Sequence, residues 1–429
     1  MRVPAQPAAR RTVHPPEADL ADPLFWQLPR GARLDAFAAL RKLESPAYFT
    51  ERPATRRRPE QGFYALVGHA DVVRASRLPQ VFASAPGVTT PEPARWVRFL
   101  FGESMVNMDA PHHTQLRRVV SRAFTPRLLA EADEDIRRVA GRVVDDMIAQ
   151  RPGDFVASVA SRMPFEVICN LMGIPEHYRA EIAGRVDHAS ENAGVKRGIG
   201  ARLRDPGRGL RALARMHLMM AALGRERRRR PTGDLISALV RADVDGQGLG
   251  ARSLGSFFSL LMVAGVETTR NAITHALTLL TENPDQRALL ASDFDRYADG
   301  AVDEVVRHST PIIQFRRTVR TEYALGGHLF RPGDKVVLYY ASANRDERVF
   351  SDPDAFDITR SPNPHLGYGG GGPHFCLGSH LARQEIKALF RELLGRPLAL
   401  RAVGLPDLAG SNFDNRVRAL RFAFDPPAP

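Results

Sequence analysis

The sequence predicts a mainly α chain with a small β region, and three observations carry that reading. Apolar residues recur at helical spacing through most of residues 110–310. Strand-like runs are short and few, at residues 63–67, 335–340 and 417–424. Near the end, a glycine-rich stretch runs into Cys376 and an amphipathic pattern follows it. There Ile386, Leu389, Phe390 and Leu393 fall at i, i+3, i+4 and i+7.

The composition is that of an ordinary globular protein, with 429 residues, 44% hydrophobic and 25% charged, so there is ample chain for a large core. Residues 1–20 are rich in Pro, Ala and Arg and read as a disordered tail; residues 21–429 read as a single domain, with a split near residue 310 as the rival. The chain shows neither an apolar signal region nor a run of about 18 apolar residues, so neither secretion nor a membrane anchor is expected. Cys169 and Cys376 lie far apart and suggest no disulfide framework, which fits a cytoplasmic location; Cys169 reads as a helical core residue. The net charge of +12 comes mostly from arginine, and the strongest cluster, residues 225–230, abuts Pro231 as a solvated helix end would. That pattern argues against nucleic-acid binding and leaves room for steering an acidic partner.

The elements can be taken in chain order. His113 and Arg117 are four apart on one helix face, where two cations repel unless an anion lies between them. For Arg117 and Arg118 alone a solvated basic face is the plainer reading. Residues 254–282 read as one helix of roughly 40 Å, apolar on most sides and therefore buried. Its middle holds Ala264, Gly265, Glu267 and Thr268. A carboxylate and hydroxyls inside a buried helix are costly unless used. The alternative is a structural polar network in which Thr268 bonds back to a carbonyl. Glu304 and Arg307 are three apart and could form nothing more than a surface ion pair.

Cys376 is placed at or just before a helix start, where the macrodipole and free N–H groups favour a thiolate. A thiolate there is a metal ligand or a nucleophile. The tetraglycine 369–372 permits a flat approach to something large, which suggests haem with Cys376 as axial ligand. A zinc site with His365, His374 and His380, a phosphate-binding loop and a plain buried cysteine remain alternatives.

The run containing Tyr368, the glycines, His374, Cys376 and Gly378 resembles the haem-binding signature of the cytochrome P450 superfamily. Residues 264–271 are similar to that family's oxygen-binding segment, and the resemblance extends over about residues 25–424. It implies the cytochrome P450 fold, haem b (iron protoporphyrin IX) and Cys376 as the metal ligand. By the same resemblance Ala264 and Gly265 leave room for dioxygen, and Glu267 and Thr268 relay protons. His113, Arg117, Arg317 and His374 would contact the haem propionates. Glu304, Arg307 and Arg360 would form a structural triad. Two departures stand out. The aromatic is Tyr368 rather than Phe and lies eight residues before the cysteine, and Arg416 replaces a hairpin glycine. The motifs look most like those of actinobacterial sterol- and branched-lipid-hydroxylating relatives.

The implied reaction is hydroxylation of an unactivated C–H bond of an apolar small molecule with dioxygen and two electrons. An acidic ferredoxin or flavodoxin with its reductase would supply the electrons, because the chain has no flavin or iron–sulfur motif. The docking face would use helices 112–122 and 377–394, with Arg117, Arg118, Arg122, His380 and Arg383. Segments 83–105, 185–215, 311–315 and 411–413 would line the pocket. A peroxide-driven peroxygenase, a non-catalytic haem protein and a zinc-binding structural protein are the competing functions.

Overall fold

In the computed structural model, residues 18–51, 61–89, 104–193, 206–241, 251–396 and 399–425 are described. Periodicity and capping agree along the helices that matter for the site. Helix α1 spans Arg30–Arg41, α2 His69–Ser76 and α3 His112–Ala123. Helix α4, Pro126–Gln150, starts with Pro126 in its first turn and with Thr125 Oγ1 accepting from Leu128 N at 3.2 Å, a side-chain cap for a free N–H. Its stripe of Ile136, Val139, Ala140, Val143, Val144 and Met147 is buried. Helix α5 covers Arg162–Leu171 and buries Cys169, as its pattern predicted.

The segment expected as one continuous helix is interrupted. Helix α6, Ala251–Leu261, passes into a π-helical turn, Met262–Glu267, before helix α7, Thr268–Glu282. A π turn inserts a residue and loosens the i→i−4 ladder. The interruption falls on the polar residues singled out in the sequence, while α7 is buried along almost its whole length. Helix α8, Phe294–Ser309, is capped by Asp293, whose side chain accepts from Arg296 N at 3.1 Å. Helix α9, Ser379–Gly395, buries Ile386, Leu389, Phe390 and Leu393, the predicted stripe.

Strands are β1 Tyr48–Glu51, β2 Gln61–Leu66, β3 Phe82–Ala83, β4 Gln314–Val319, β5 Tyr323–Leu325, β6 His328–Phe330, β7 Lys335–Tyr339, β8 Ala399–Ala402, β9 Asp407–Leu408, β10 Val417–Ala419 and β11 Phe422–Asp425. A five-stranded sheet has the order β1-β2-β7-β4-β3, with β2 and β7 parallel and the other pairs antiparallel. Period-2 alternation sorts its faces. Phe63 and Ala65 of β2 join Val337 and Tyr339 of β7 in one cluster with Trp26 and Phe37. Tyr64 and Leu66 join Val336 and Leu338 in another with Val72 and Phe82. The helical core is a third and larger cluster.

Two expectations need correction. Ala18 and Leu20, placed in the disordered tail, are buried, and Trp26 Nε1 donates to Leu20 O at 3.1 Å; residues 1–17 lie outside the described residues. The tetraglycine packs against protein. A Cβ on Gly370 would lie 2.5 Å from Ser76 Oγ, and one on Gly372 would lie 2.4 Å from Ser76 O. The glycine run thus closes onto the last turn of α2, and Gly372 also sits at φ +75°.

Gly372→Ala is therefore expected to cost more than the ~1–2 kcal/mol of a left-handed L-residue, because the neighbouring carbonyl belongs to a helix and cannot retreat. Chemical denaturation checks it; a variant as stable as the parent would mean that the loop does not need this approach.

Candidate active site

A buried ion pair sets the scaffold. Glu304 and Arg307, on α8, are both fully buried. Arg307 donates to the two carboxylate oxygens through Nε at 2.8 Å and NH2 at 2.7 Å, a bidentate fork. Glu304 also accepts from Arg360 Nε at 3.2 Å, Asp357 N at 3.0 Å and Asn363 Nδ2 at 3.0 Å. Arg307 further donates to Asn344 O, Pro353 O and Ala355 O at 2.7–2.9 Å. The Glu304–Arg307–Arg360 cluster thereby satisfies a long stretch of irregular chain that leads directly into the Cys376 loop. The loop is tied again where Leu366 N donates to Asn344 Oδ1 at 2.6 Å.

The adjacent Asp303, not singled out in the sequence, anchors the far side of the loop. Arg383 donates to its Oδ1 through Nε at 3.0 Å and NH2 at 2.6 Å, and His365 Nε2 lies 3.4 Å from the same oxygen. Burial alone would raise the Asp303 carboxyl, but His365 and Arg383 outweigh it and hold it below the usual range. The Arg383 guanidinium also lies 4.8 Å over the Tyr368 ring.

Cys376 sits three residues before α9. Its N–H donates to Tyr368 O at 2.9 Å, and its sulfur accepts from Gly378 N–H. The residue is open to solvent on one side yet surrounded by enough protein that burial pushes the thiol up. Gly378 N–H, Arg117 and Arg383 pull the other way without overcoming it. The helix start alone does not secure a thiolate. Ligation would, because a coordinating metal deprotonates a thiol outright.

Beside Cys376, α3 and β4 converge with the loop. The His113 and His374 rings lie 4.1 Å apart, and His374 Nε2 is 3.0 Å from Ser84 Oγ. Arg117 NH2 donates to Phe375 O at 2.7 Å. Arg317 is buried and, among the described residues, its hydrogen bond goes to the Arg316 carbonyl at 2.8 Å. Burial, then Arg317, His113 and Arg117, drive His374 down to about 3; burial and Arg117 lower His113, and burial lowers Arg117 and Arg317. A neighbouring carboxylate, Asp109, accepts from Ser84 N, Ala85 N and Arg320 at 2.7–3.1 Å. Four basic groups gathered beside the cysteine, two of them guanidiniums, are a donor set that suits a dianionic, sulfur-ligated cofactor. Haem b fits these residues.

The helical wall is polar in a different way. Ala264 is exposed, while a Cβ on Gly265 would lie 3.1 Å from Ile168 Cδ1, so glycine there serves packing against α5. Thr268 Oγ1 donates to Ala264 O at 2.5 Å, filling an acceptor loosened by the π turn. Glu267 is buried, receives Arg270 NH2 at 2.5 Å and lies 3.5 Å from Arg416 Nε. Thr269 links this wall to α9 by donating to Glu385. Sequence reading missed Glu385, although a carboxylate beside the apolar stripe at Ile386 was a visible signal. Burial raises its carboxyl to about 8, against the weaker downward pull of Thr269.

Several sequence-derived candidates for a basic face are already engaged. Arg383 pairs with Asp303, and His380 Nε2 lies 3.6 Å from Asp133. Arg118 and Arg122 are exposed on α3, and Phe375, whose carbonyl accepts from Arg117, is 38% exposed. Of the proposed pocket segments, residues 90–103 and 194–205 lie outside the described residues.

A family profile described as Cytochrome P450 matches residues 213–396. The chain is 43% identical over 406 residues to a methyl-branched lipid omega-hydroxylase of Mycobacterium tuberculosis, covering 88% of this chain and 89% of that one. It is 35% identical over 400 residues to a steroid C26-monooxygenase of Mycolicibacterium smegmatis, covering 90% and 89%. A Mycobacterium marinum cytochrome P450 solved in complex with pseudoionone superposes with a TM-score of 0.88 at 39% identity, covering 97% of this chain and all of that one.

The Glu385 carboxyl generates a pH prediction. The folded chain keeps its proton to about pH 8 while an unfolded chain releases it near 4.5. Stability is therefore lost as pH rises between those values, and on the order of 3 kcal/mol is at stake by pH 7. Glu385→Gln should gain on the parent across that window and match it near pH 4.5. Parallel stability profiles of parent and variant from pH 4.5 to 8 would show that Glu385 ionises in the folded chain.

Proposed function

The chain belongs to the cytochrome P450 family and is a haem-thiolate monooxygenase; on that premise we propose that it hydroxylates an aliphatic C–H bond of a branched-chain lipid, with Cys376 as the residue that would ligate the haem iron. The observation that supports the site assignment is Cys376 beside four basic side chains, His113, Arg117, Arg317 and His374. His113, Arg117, Arg317 and His374 hold the propionates, and Tyr368 and Gly378 shape the loop against the cofactor. The haem, when bound, supplies the dioxygen activation that no side chain can perform. Glu267 and Thr268 manage protons on the opposite wall, beside Ala264 and Gly265. Glu304, Arg307 and Arg360 hold the loop in register and touch no reactant.

The lipid assignment follows the relatives' substrates and the apolar character of such pockets. The electron donor is an acidic ferredoxin or flavodoxin, supported by the exposed Arg118 and Arg122 and the net charge of +12. A cytoplasmic setting fits the two free cysteines. Among the described residues no helix is long and apolar enough to cross a membrane. Residues 21–429 are read as one domain.

The deciding experiment is the ferrous–CO difference spectrum. The parent should show the strongly red-shifted Soret band and Cys376→Ala should lose it; a band that persists in the variant removes Cys376 as ligand. Isopalmitate should give a low- to high-spin shift at lower concentration than cholesterol, the reverse order favouring a steroid. Thr268→Ala should consume reductant with less product and more peroxide. Unchanged coupling would take the hydroxyl out of proton handling.

Docking is tested by reduction rate against ionic strength. Exposed charges are screened over about 8 Å at physiological salt, so the rate with an acidic ferredoxin should fall as salt rises and fall further in Arg122→Glu. A flat response in both proteins would leave α3 without a docking role.

A further inference from the structure

Helix α1 begins without the devices that usually settle a helix start. Its N-cap is Pro29, no side chain caps the first turn, and no acidic residue lies in it. The first-turn N–H groups and the positive end of the macrodipole are left for another partner. Arg30 and Arg33 occupy that same turn, where a cation is the unfavourable choice. They are three apart and share a face. Helical side chains lean toward the N-terminus, so the Arg33 guanidinium is carried back toward Arg30 and the free N–H groups. Burial and then Arg33 lower the Arg30 guanidinium, as two cations held near each other require. A Cβ on Gly31 would meet nothing within 4 Å, so the turn is not covered there.

Arg33 is the residue that asks for an anion. It is only 8% exposed, and its Nε is buried with no hydrogen-bond partner. Among the described residues its side chain forms neither a hydrogen bond nor an ion pair. A guanidinium cannot shed its proton, so burying one unpaired is costly. Arg30 is only half provided for. Its Nη2 donates to His308 O and to His308 Nδ1, both at 2.8 Å, while His308 Nε2 donates to Asp354 O at 3.0 Å. Those partners are neutral. Asp354 pairs with Arg345 at 2.9 Å, and Glu304 pairs with Arg307 and Arg360. Glu282 and Asp354 act on Arg30 without forming an ion pair with it. Two imidazoles register the resulting positive potential. Burial, helped by Arg345 and Arg30, lowers His308; burial, opposed by the Asn415 carbonyl and helped by Arg30, Arg33 and Arg345, lowers His275 of α7 to about 4.

We propose that the start of α1 is a phosphate site, with Arg33 and Arg30 as its cationic arms and the free N–H groups of the first turn completing it. Two guanidiniums without an anion match a dianion in charge, and their planar forks match its oxygen pairs in geometry. A helix start supplies the remaining donors. The burial of Arg33 selects a compact group, so inorganic phosphate or the phosphate end of a small molecule fits where a folded partner does not. Occupation would tie α1 through Arg30 to His308 at the end of α8, the helix that carries Glu304 and Arg307. Bound phosphate should thus brace the scaffold of the cysteine loop. The site takes no part in the reaction proposed above and stands without it.

The test titrates inorganic phosphate into haem-loaded protein prepared in phosphate-free buffer, with ionic strength held constant by sodium chloride. Calorimetry reads the affinity and thermal unfolding reads the stability. The parent should bind phosphate, and its unfolding midpoint should rise with phosphate, as binding to the folded state alone requires. Arg33→Met keeps the bulk of the stem and should weaken binding roughly tenfold or more, the scale of one charge-assisted hydrogen bond. In phosphate-free buffer it should be at least as stable as the parent. Arg33→Lys keeps the charge but loses the fork, and its affinity should fall between the two. Equal affinity in parent and Arg33→Met overturns the site, as does a parent midpoint that responds to phosphate no more than to chloride. A phosphate-free Arg33→Met that is clearly less stable than the parent makes Arg33 a packing residue and also overturns it. Phosphatidate vesicles distinguish the source of the group. Pelleting of the parent but not of Arg33→Met assigns it to a lipid headgroup, pelleting of neither assigns it to free phosphate, and both results keep the site.

Discussion

The Glu304–Arg307 pair is the constraint on which the rest of the site depends. Two opposite charges with no solvent contact survive only if every lone pair and N–H is used, and here each is. Satisfying them recruits Arg360, Asn363 and the carbonyls of Asn344, Pro353 and Ala355. The irregular chain from residue 344 to 366 is thereby fixed without secondary structure of its own. The cysteine loop begins where that network ends, at Leu366 N on Asn344. An error in the pair would travel along the loop to the sulfur. Asp303 repeats the device on the next residue, fastening His365 and Arg383.

The site itself is organised by charge imbalance. Near Cys376 the structure gathers basic groups and places the nearby carboxylate, Asp109, elsewhere. On the opposite wall it does the reverse, surrounding Glu267 with two arginines. The first arrangement calls for an anionic cofactor; the second pairs a buried acid with cations. Between them, Glu385 stays neutral because burial there has no compensating cation.

Departures from sequence expectation share one cause. The tetraglycine was assigned to a flat cofactor approach, yet two of its glycines are needed by α2. Gly265 was assigned to dioxygen, and a Cβ there would also crowd Ile168 of α5. Arg383 and His380 were counted toward a docking face, yet each meets an acidic partner distant in sequence. In every instance the residue's neighbour lay on another element.

The sequence by itself determined the helical class, the stripe of α9, the buried character of the long helix and the residue types of the site. These follow from periodicity and from the cost of burying polar groups, which are local properties. The triad members were named from a family resemblance before their geometry was visible. Tertiary structure alone decided the π turn over Met262–Glu267, the pairing of β2 with β7 across most of the chain, and the distant partner of Arg416. Arg416 looked like an anomaly in a hairpin because its meaning depends on Glu267, 149 positions earlier in the chain. Nothing in local spacing encodes which distant charge a buried arginine will meet, since that is settled only when the elements pack.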